Sequence, residues 1–149
     1  PIHSFSGNDI HLINKLNLKF IKNYIIKHKH IMCQKYLPKI IKGDKRVFII
    51  NGKVRGAIKR IPKKGSNLAN ISQGGKACDT KLNKKELKIS QAIAKSLSKS
   101  KIFFAGIDLI NGYLIGDINV TSPTGLPQYK ELTGINLAKD FWNEAKKLK

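Results

Sequence analysis

The pattern of apolar and polar residues predicts two β-hairpins that share the same turn sequence. An apolar run ending at Ile50 is followed by Asn51-Gly52 and then by an alternating segment. Asn111-Gly112 stands in the same position between two later runs. Asn-Gly is typical of two-residue hairpin turns because both central residues must tolerate a positive φ angle. The predicted strands are 46–50 paired with 53–61, and 102–110 paired with 113–120.

Helical periodicity accounts for much of the remaining chain. Apolar residues recur every three or four positions in three segments, which is typical of a helix with one buried face. The middle segment starts with Asn83 and has Glu86 three residues later, an arrangement that resembles a capping box. The predicted helices span 16–28, 83–98 and 137–148.

The other segments predict short strands and loops. Residues 9–13 and 31–36 are strand candidates, whereas residues 62–80 are rich in Gly and Asn. A loop of that length inside a compact domain is usually a lid or a binding loop. Antiparallel hairpins that alternate with helices indicate an α+β fold. The length of 149 residues suits one domain or part of one.

The charge of the chain raises the question of a polyanionic partner. The formal net charge is +20, from 29 basic and nine acidic residues. Only three of the basic residues are arginines, and the lysines are spread along a chain that is also crowded with Ile and Asn. Proteins that bind nucleic acid usually combine arginines with aromatic side chains on which the bases stack. The less favoured alternative is therefore that this chain is a non-enzymatic basic module that binds nucleic acid or another polyanion.

Cysteine usage and hydropathy indicate a cytoplasmic chain that does not enter a membrane. Cys33 and Cys78 fit no zinc spacing, and we interpret them as reduced thiols. The longest apolar runs are interrupted by Gly and Asp, whereas a membrane span needs about 20 apolar residues. The first residues also lack the basic and apolar regions of a secretory signal.

The second predicted hairpin brings two carboxylates and an amide to one face of the sheet. If Asn111-Gly112 forms a two-residue turn, residue 108 pairs with 115 and residue 106 with 117. Because paired residues share a face, Asp108, Asp117 and Asn119 would project together. Three oxygen ligands suit a hard cation such as Mg²⁺. Two solvated charges on an exposed face remain the alternative, and a bulge near Gly116 would shift the register. In a complete enzyme, we expect Asp108→Asn to lower turnover with little loss of stability.

The first predicted hairpin places two arginines near one end of the sheet. In the Asn51-Gly52 register, Arg46 pairs near residue 57, and Arg60 lies just beyond. Two guanidinium groups at one sheet end could bind a phosphate or a carboxylate bidentately. On spacing alone, two surface cations on a very basic chain are an equally good interpretation.

Several short motifs occur in an order that resembles the bacterial glutathione synthetases, a family of ATP-grasp ligases. The resemblance runs over nearly the whole chain, and its most specific part is the stretch from Asn119 to Thr124. It implies the carboxyl-terminal part of an ATP-grasp domain, with an antiparallel sheet and flanking helices. The motifs are Gly43-Asp44-Lys45-Arg46, Arg60-Ile61-Pro62, Asn70 with Gly74-Gly75, Gly106-Ile107-Asp108, and Asp117-Ile118-Asn119-Val120-Thr121-Ser122-Pro123-Thr124.

The resemblance implies an ATP-dependent carboxylate–amine ligase. ATP would phosphorylate the cysteinyl carboxylate of γ-glutamylcysteine, and the amine of glycine would then displace phosphate to give glutathione. Asp108, Asp117 and Asn119 would hold Mg²⁺, or Mn²⁺, against the ATP phosphates. Arg46 and Arg60 would be the catalytic residues, stabilising the acyl phosphate and binding the substrate carboxylate.

The resemblance also assigns nucleotide and substrate contacts. Asn70 and Ser122 would lie near the dipeptide, and the loop 63–75 would act as a lid. The opening loop, 4–8, would cover the phosphates. The implied nucleotide contacts are Gly7 in that loop, Gln34, Tyr36 and Leu37 around adenine, and Asp44 on the ribose side.

Departures from the family pattern limit these expectations. The family usually has Glu at the position of Asp117 and, in several members, Arg at the position of Leu68. Gly7 is the single glycine of an opening loop that is richer in glycine elsewhere. A phosphate-binding Lys that precedes the position of Pro1 in the family is absent. We therefore expect residues 1–149 to be an amino-terminally truncated ATP-grasp domain, inactive or poorly active alone, of an enzyme that forms homo-oligomers at full length.

Overall fold

The computed structural model describes residues 1–3, 8–66 and 68–148, apart from the side chains of residues 115 and 116. The chain divides into two compact units, 1–38 and 39–149. None of the helices in the described part of the chain is long and apolar enough to span a membrane.

Within its described residues, the first unit contains the helix α1, at Leu18–His28. Asn17 caps it, because its side-chain oxygen accepts a hydrogen bond of 3.0 Å from the Phe20 backbone N–H. No residue of α1 is buried. The ring of Tyr24 stacks on that of Phe20, with 5.5 Å between centroids, and its hydroxyl donates to the backbone oxygen of Asp9.

The second unit is built on an antiparallel sheet of five strands, ordered β3-β2-β1-β4-β5. The α+β class and the flanking helices predicted from the sequence are therefore confirmed. The strands are β1 Asp44–Ile50, β2 Lys53–Ile61, β3 Lys76–Asp79, β4 Phe104–Ile110 and β5 Tyr113–Asn119.

Both predicted Asn-Gly turns are present. Asn51 and Gly52 have φ angles of 49° and 67°, and Asn111 and Gly112 have 49° and 76°. Positive φ at both central positions defines the turn whose twist matches that of the flanking strands. Local sequence therefore fixes where each hairpin begins.

Helix α2, Lys84–Lys99, covers one face of the sheet. Its Ala94 and Leu97 pack against apolar residues of β1, β2 and β4, which alternate along each strand. The predicted capping box is confirmed at Asn83 and Glu86. Glu86 is 2% exposed and also accepts a hydrogen bond of 2.7 Å from the Lys45 ammonium group.

Helices α3, Leu126–Thr133, and α4, Leu137–Ala145, cover part of the opposite face. The core on this side consists of Phe48, Ile50, Ile58, Tyr129 and Leu137. A short 3₁₀ helix, Lys146–Leu148, follows α4 and accounts for the end of the predicted last helix. The sheet thus lies between two helical layers.

Several element predictions were wrong. Residues 9–13 and 31–36 form no strand, because no strand of the described sheet pairs with them. The predicted loop 62–80 includes β3, whose four residues carry little apolar pattern and are held by backbone pairing to β2. Helix α3 was not predicted, since its eight residues bury only Tyr129 and therefore show no strong period.

Removing the cap of α2 should cost a measurable part of the stability. We expect Asn83→Ala to lower the free energy of unfolding by about 1 kcal/mol, because the Glu86 backbone N–H loses its acceptor. Asn83→Ser, which keeps a capping oxygen, is the matched control in urea titrations of both variants. Equal losses for Ala and Ser would contradict a capping role.

Candidate active site

A one-residue bulge in β2 determines which side chains share the site face. Next to the turn, Ile50 pairs with Lys53, but farther along the hairpin Phe48 pairs with Gly56. The extra residue on β2 is Arg55. Because side chains alternate between faces, one inserted residue moves every later β2 side chain to the opposite face.

The bulge brings Arg60 to the face that carries Asp44 and Arg46. Arg46 pairs with Ile58, not with residue 57 as the regular hairpin predicted, and Asp44 pairs with Arg60. The predicted proximity of Arg46 and Arg60 holds, but a regular hairpin would have separated them by the sheet. Glycine inside a strand often marks a bulge, so Gly56 was the available sequence signal.

The β4–β5 hairpin is also irregular, yet it keeps the predicted face. Ile107 pairs with Ile118 and Gly106 with Asn119, so the expected pairing of 106 with 117 is shifted by two residues. An even shift restores the alternation of faces. Asp108, Asp117 and Asn119 therefore lie on one face, as the sequence predicted.

Four charged side chains form a buried network at one end of this face. Arg46 binds Asp108 through two parallel hydrogen bonds, of which Nη2 to Oδ2 measures 2.9 Å. Arg60 binds Asp44 in the same way, with Nε to Oδ1 at 2.8 Å, and its Nη2 lies 2.7 Å from Asp108 Oδ2. All four residues are at most 4% exposed. Asp108 thus links both arginines.

Asp117 extends the network toward solvent. Its side chain is 57% exposed, and Oδ2 lies 3.9 Å from Arg46 Nη2. Burial raises the pKa of Asp117, and the charge of Asp108 raises it further. Burial also raises the pKa of Asp108, but the hydrogen bonds and charges of Arg46 and Arg60 outweigh burial and lower it below its ordinary value. Three carboxylates therefore face two guanidinium groups.

Gly106 leaves the space that the Arg46 side chain needs. A Cβ on Gly106 would lie 2.9 Å from Arg46 Cδ and 3.0 Å from Pro123 Cβ. The far end of Arg46 points toward the Thr124 carbonyl oxygen, at 3.4 Å from Nη1. The glycine of the Gly106-Ile107-Asp108 motif is thus explained by the packing of the neighbouring strand.

Asn119 is the last residue of β5, and Ser122 lies in the turn that follows. The side-chain oxygen of Asn119 accepts hydrogen bonds from the backbone N–H groups of Thr121, at 3.1 Å, and Ser122, at 3.0 Å. Ser122 is exposed. The amide oxygen of Asn119 therefore already organises this turn.

Asn70 lies in the segment that was predicted to be a lid. Its backbone oxygen accepts a hydrogen bond of 3.1 Å from Gly75, and a Cβ on Gly75 would meet the Ala69 carbonyl oxygen at 2.4 Å. Ala69 is buried, and Ile71 packs against the core beside α3 and α4. The middle of this segment is thus packed against the core of the second unit.

The predicted adenine contacts belong to the first unit. Gln34, Tyr36 and Leu37 follow α1 in a stretch without helix or strand. The predicted phosphate contact Gly7 lies outside the described residues. Asp44, predicted on the ribose side, belongs to the second unit and uses both carboxylate oxygens to bind Arg60.

The donor atoms of the cluster suit a hard divalent cation. Within the described residues, no three His, Cys, Asp or Glu side chains gather as a metal site. The candidate set is two carboxylates, Asp108 and Asp117, with the amide of Asn119. Oxygen donors match Mg²⁺ or Mn²⁺. The network has one carboxylate more than it has guanidinium groups, and the pKa of Asp117 is raised. A bound cation would offset this excess negative charge.

The fold and the cluster together are those of an ATP-grasp domain. A comparison with protein-family models agrees, because residues 1–134 match the ATP-grasp domain of prokaryotic glutathione synthetase. The chain belongs to this family. Helix α4 lies beyond the matched residues.

Curated relatives support the same family. A glutathione synthetase of Prochlorococcus marinus strain MIT 9313 is 43% identical over 108 residues, which cover 72% of this chain and 35% of the relative. That of Buchnera aphidicola subsp. Baizongia pistaciae is 41% identical over 143 residues, 93% of this chain and 44% of the relative. That of Rhodopseudomonas palustris is 32% identical, covering 99% and 49%. The chain thus spans less than half the length of these relatives.

Neutralising Asp108 and neutralising Asp117 should have different effects on the free energy of unfolding. We expect Asp108→Asn to lower the free energy of unfolding by about 3 kcal/mol, since it leaves two buried guanidinium groups without their shared partner. Asp117→Asn should leave stability unchanged or raise it, because ionised Asp117 is disfavoured in the fold. Urea titrations at pH 7 with a chelator test both variants. This replaces the expectation that Asp108→Asn would spare stability, and equal effects would contradict it.

Acid should remove the contribution of Asp108 to stability. Its pKa is lowered on folding from an ordinary value of about 3.9, so its ion pairs contribute fully above pH 4 and are lost as pH falls toward the folded pKa. Hydrogen bonds from Lys147 and Asn51 lower the pKa of Glu144 to about 2, which adds to the same loss.

The measurement is the free energy of unfolding between pH 7 and pH 2, for this chain and for Asp108→Asn. The difference between the two should shrink as the pH falls below 4. A difference that stays constant with pH would show that Asp108 has the same pKa in both states.

Proposed function

We propose that this chain provides the phosphate-handling site of an ATP-dependent ligase that joins γ-glutamylcysteine and glycine. In that reaction ATP phosphorylates the cysteinyl carboxylate, and the glycine amine then attacks the acyl phosphate and displaces phosphate. The observation that carries the proposal is the position of Asp108 between Arg46 and Arg60, beside Asp117. The relatives bear the name glutathione synthetase, and the reaction is proposed for a polypeptide of their length.

Arg46 and Arg60 are the proposed catalytic and substrate-binding residues. A guanidinium group binds phosphate or carboxylate through two parallel hydrogen bonds, and fixed cations stabilise charge that develops during acyl and phosphoryl transfer. Both groups are held in place before any ligand arrives, since Asp108 and Asp44 fix their planes. Such preorganisation lowers the cost of arranging charge at the moment of reaction.

Asp108, Asp117 and Asn119 are the residues that we propose to hold Mg²⁺ or Mn²⁺. A divalent cation at these oxygens would offset the negative charge of ATP phosphates. Asp117 is the most accessible of the carboxylates in the network. Asp108 also keeps Arg46 and Arg60 oriented, through the ion pairs that it makes with both.

The nucleotide contacts are proposed from the family resemblance. Gln34, Tyr36 and Leu37 would surround adenine, and Gly7 would lie in the loop over the phosphates. Asp44 remains the proposed residue on the ribose side, so a contact with ribose would add to its ion pair with Arg60.

The acid substrate is proposed to meet Asn70 and Ser122. The loop 63–75 would cover the site, because an acyl phosphate must be shielded from water until the amine attacks. We also propose that residues 1–149 form one ATP-grasp domain, and that the whole enzyme is a cytoplasmic homo-oligomer.

The decisive experiment measures ADP release from Mg-ATP by a polypeptide of the relatives' length that contains this chain. ADP release should require γ-glutamylcysteine and rise strongly with glycine. Arg46→Lys should lower the rate by about 100-fold or more, because lysine cannot bind in the forked geometry. Lys95→Ala, which removes an exposed cation of α2, is the matched control.

Each other outcome changes a defined part of the proposal. ADP release only with other acid–amine pairs would keep the site and change the substrates. A folded protein that releases no ADP with any pair would refute the ligase proposal. If such a protein bound DNA with affinity that falls steeply with salt, the basic binding module would replace it.

A further inference from the structure

We infer that Glu144, in α4, is a positioning residue for the active site, and that it acts through the Arg55 bulge. The inference rests on the proposed function for its catalytic consequence, but its structural part stands on the register of β2 alone. Glu144 lies beyond residues 1–134, which match the family model. Its link to the site is the hairpin geometry that places Arg60.

Two points of the hairpin are bound by the same carboxylate. Asn51, in the turn, donates a hydrogen bond of 2.9 Å to Glu144 Oε2, and Arg55 Nη2 lies 3.1 Å from Oε1. The Arg55 side chain is 24% exposed and that of Glu144 is 14% exposed. The contact between Arg55 Nη2 and Glu144 is an ion pair without hydrogen-bond geometry, and Arg55 Nε has no hydrogen-bond partner among the described residues. Glu144 is therefore the counter-charge of the bulge residue Arg55 where its guanidinium is partly shielded from water.

The position beside the bulge disfavours the regular register. Gly56 pairs with Phe48, and a Cβ at Gly56 would lie 2.5 Å from the ring of Tyr129. That ring also meets the ring of Phe48 edge to face, at 5.8 Å between centroids. A regular hairpin would put Arg55 opposite Phe48, under Tyr129, where only glycine fits. The Tyr129 ring thus blocks the position opposite Phe48 for Arg55, and Arg55 in the bulge instead pairs with Glu144.

The register has a direct consequence for the site. With the bulge, Arg60 pairs with Asp44 and its guanidinium reaches Asp108. Without it, Arg60 would point to the face covered by α2. Loss of Glu144 leaves the partly buried guanidinium of Arg55 without its counter-charge, which disfavours the bulged register relative to regular or open forms. Part of the population then lacks Arg60 in the active site.

The test compares Glu144→Ala with Lys147→Ala in this chain. Lys147→Ala breaks another ion pair of Glu144, of 2.8 Å, without touching the hairpin. Cross-strand nuclear Overhauser contacts between Arg46 and Ile58 report the bulged register. We expect these contacts to weaken at least twofold in Glu144→Ala and to persist in Lys147→Ala. Unchanged contacts in folded Glu144→Ala would overturn the inference.

Deletion of Arg55 separates positioning from general stabilisation. A hairpin without the extra residue still pairs Asp44 with Arg60, so its register no longer needs Glu144. Adding Glu144→Ala in that background should leave the Arg46–Ile58 contacts unchanged. A further loss of contacts would show that Glu144 acts in another way. If Glu144→Ala does not fold, Glu144→Gln, which still accepts from Asn51, replaces it in both comparisons.

The effect on catalysis is measured with the polypeptide of the relatives' length that contains this chain. Glu144→Ala should lower glycine-dependent ADP release at least twofold, in proportion to the Arg46–Ile58 contacts that are lost, while Lys147→Ala keeps the rate. An unchanged rate in Glu144→Ala would overturn the catalytic consequence. A native protein without ADP release would refute the proposed function instead, and the nuclear Overhauser contacts would still decide the role of Glu144.

Discussion

The ion pairs that Asp108 makes with Arg46 and Arg60 are the interaction on which the candidate site depends. Removing three such charges from water costs several kcal/mol per ion, and only close, well-aligned pairing offsets it. The forked hydrogen bonds supply that alignment, and Asp44 completes the partners of Arg60. The same contacts that offset burial also fix the planes of the two guanidinium groups. Stability and orientation of the site therefore have one physical source.

This network shares its sheet face with an apolar core. Along β1, Phe48 and Ile50 lie under α3 and α4, whereas Asp44 and Arg46, on the same face, form the charged end. One end of β1 thus lies in the packed apolar core, and the other end carries the charged side chains of the site. Because packed cores deform little, the charged half is attached to a rigid base. Asp117, at the exposed margin, is where charge remains uncompensated.

At two places, a glycine in a strand lets a side chain from another element pack closely against the backbone. Gly106 leaves room for the Arg46 side chain, and Gly56 leaves room for the Tyr129 ring. The first opens the site, and the second holds the bulge that determines the face of Arg60. Both positions lie inside strands, where glycine is otherwise unfavourable. Each is explained by a side chain from another element, so the sequence can mark the position but cannot show what fills the space.

The sequence by itself determined the elements whose signals are local. The Asn-Gly turns, the capping box at Asn83 and the helical period of α2 each depend on residues a few positions apart. Asp108, Asp117 and Asn119 were placed on one face because alternation along a strand is also local, and an even shift of register preserved it. The motif order was enough to suggest the family that the comparisons then showed.

Tertiary structure alone decided the rest. The face of Arg60 depends on one extra residue in β2, and that bulge is held by Tyr129 and Glu144, which are distant in sequence. Strand β3 is held by backbone pairing to β2, and α3 is held by the packing of the Tyr129 ring against Phe48 of the sheet. The ion pairs of Asp108 likewise join residues 62 positions apart in the case of Arg46. Such contacts follow from packing and charge pairing between elements, which no local pattern encodes.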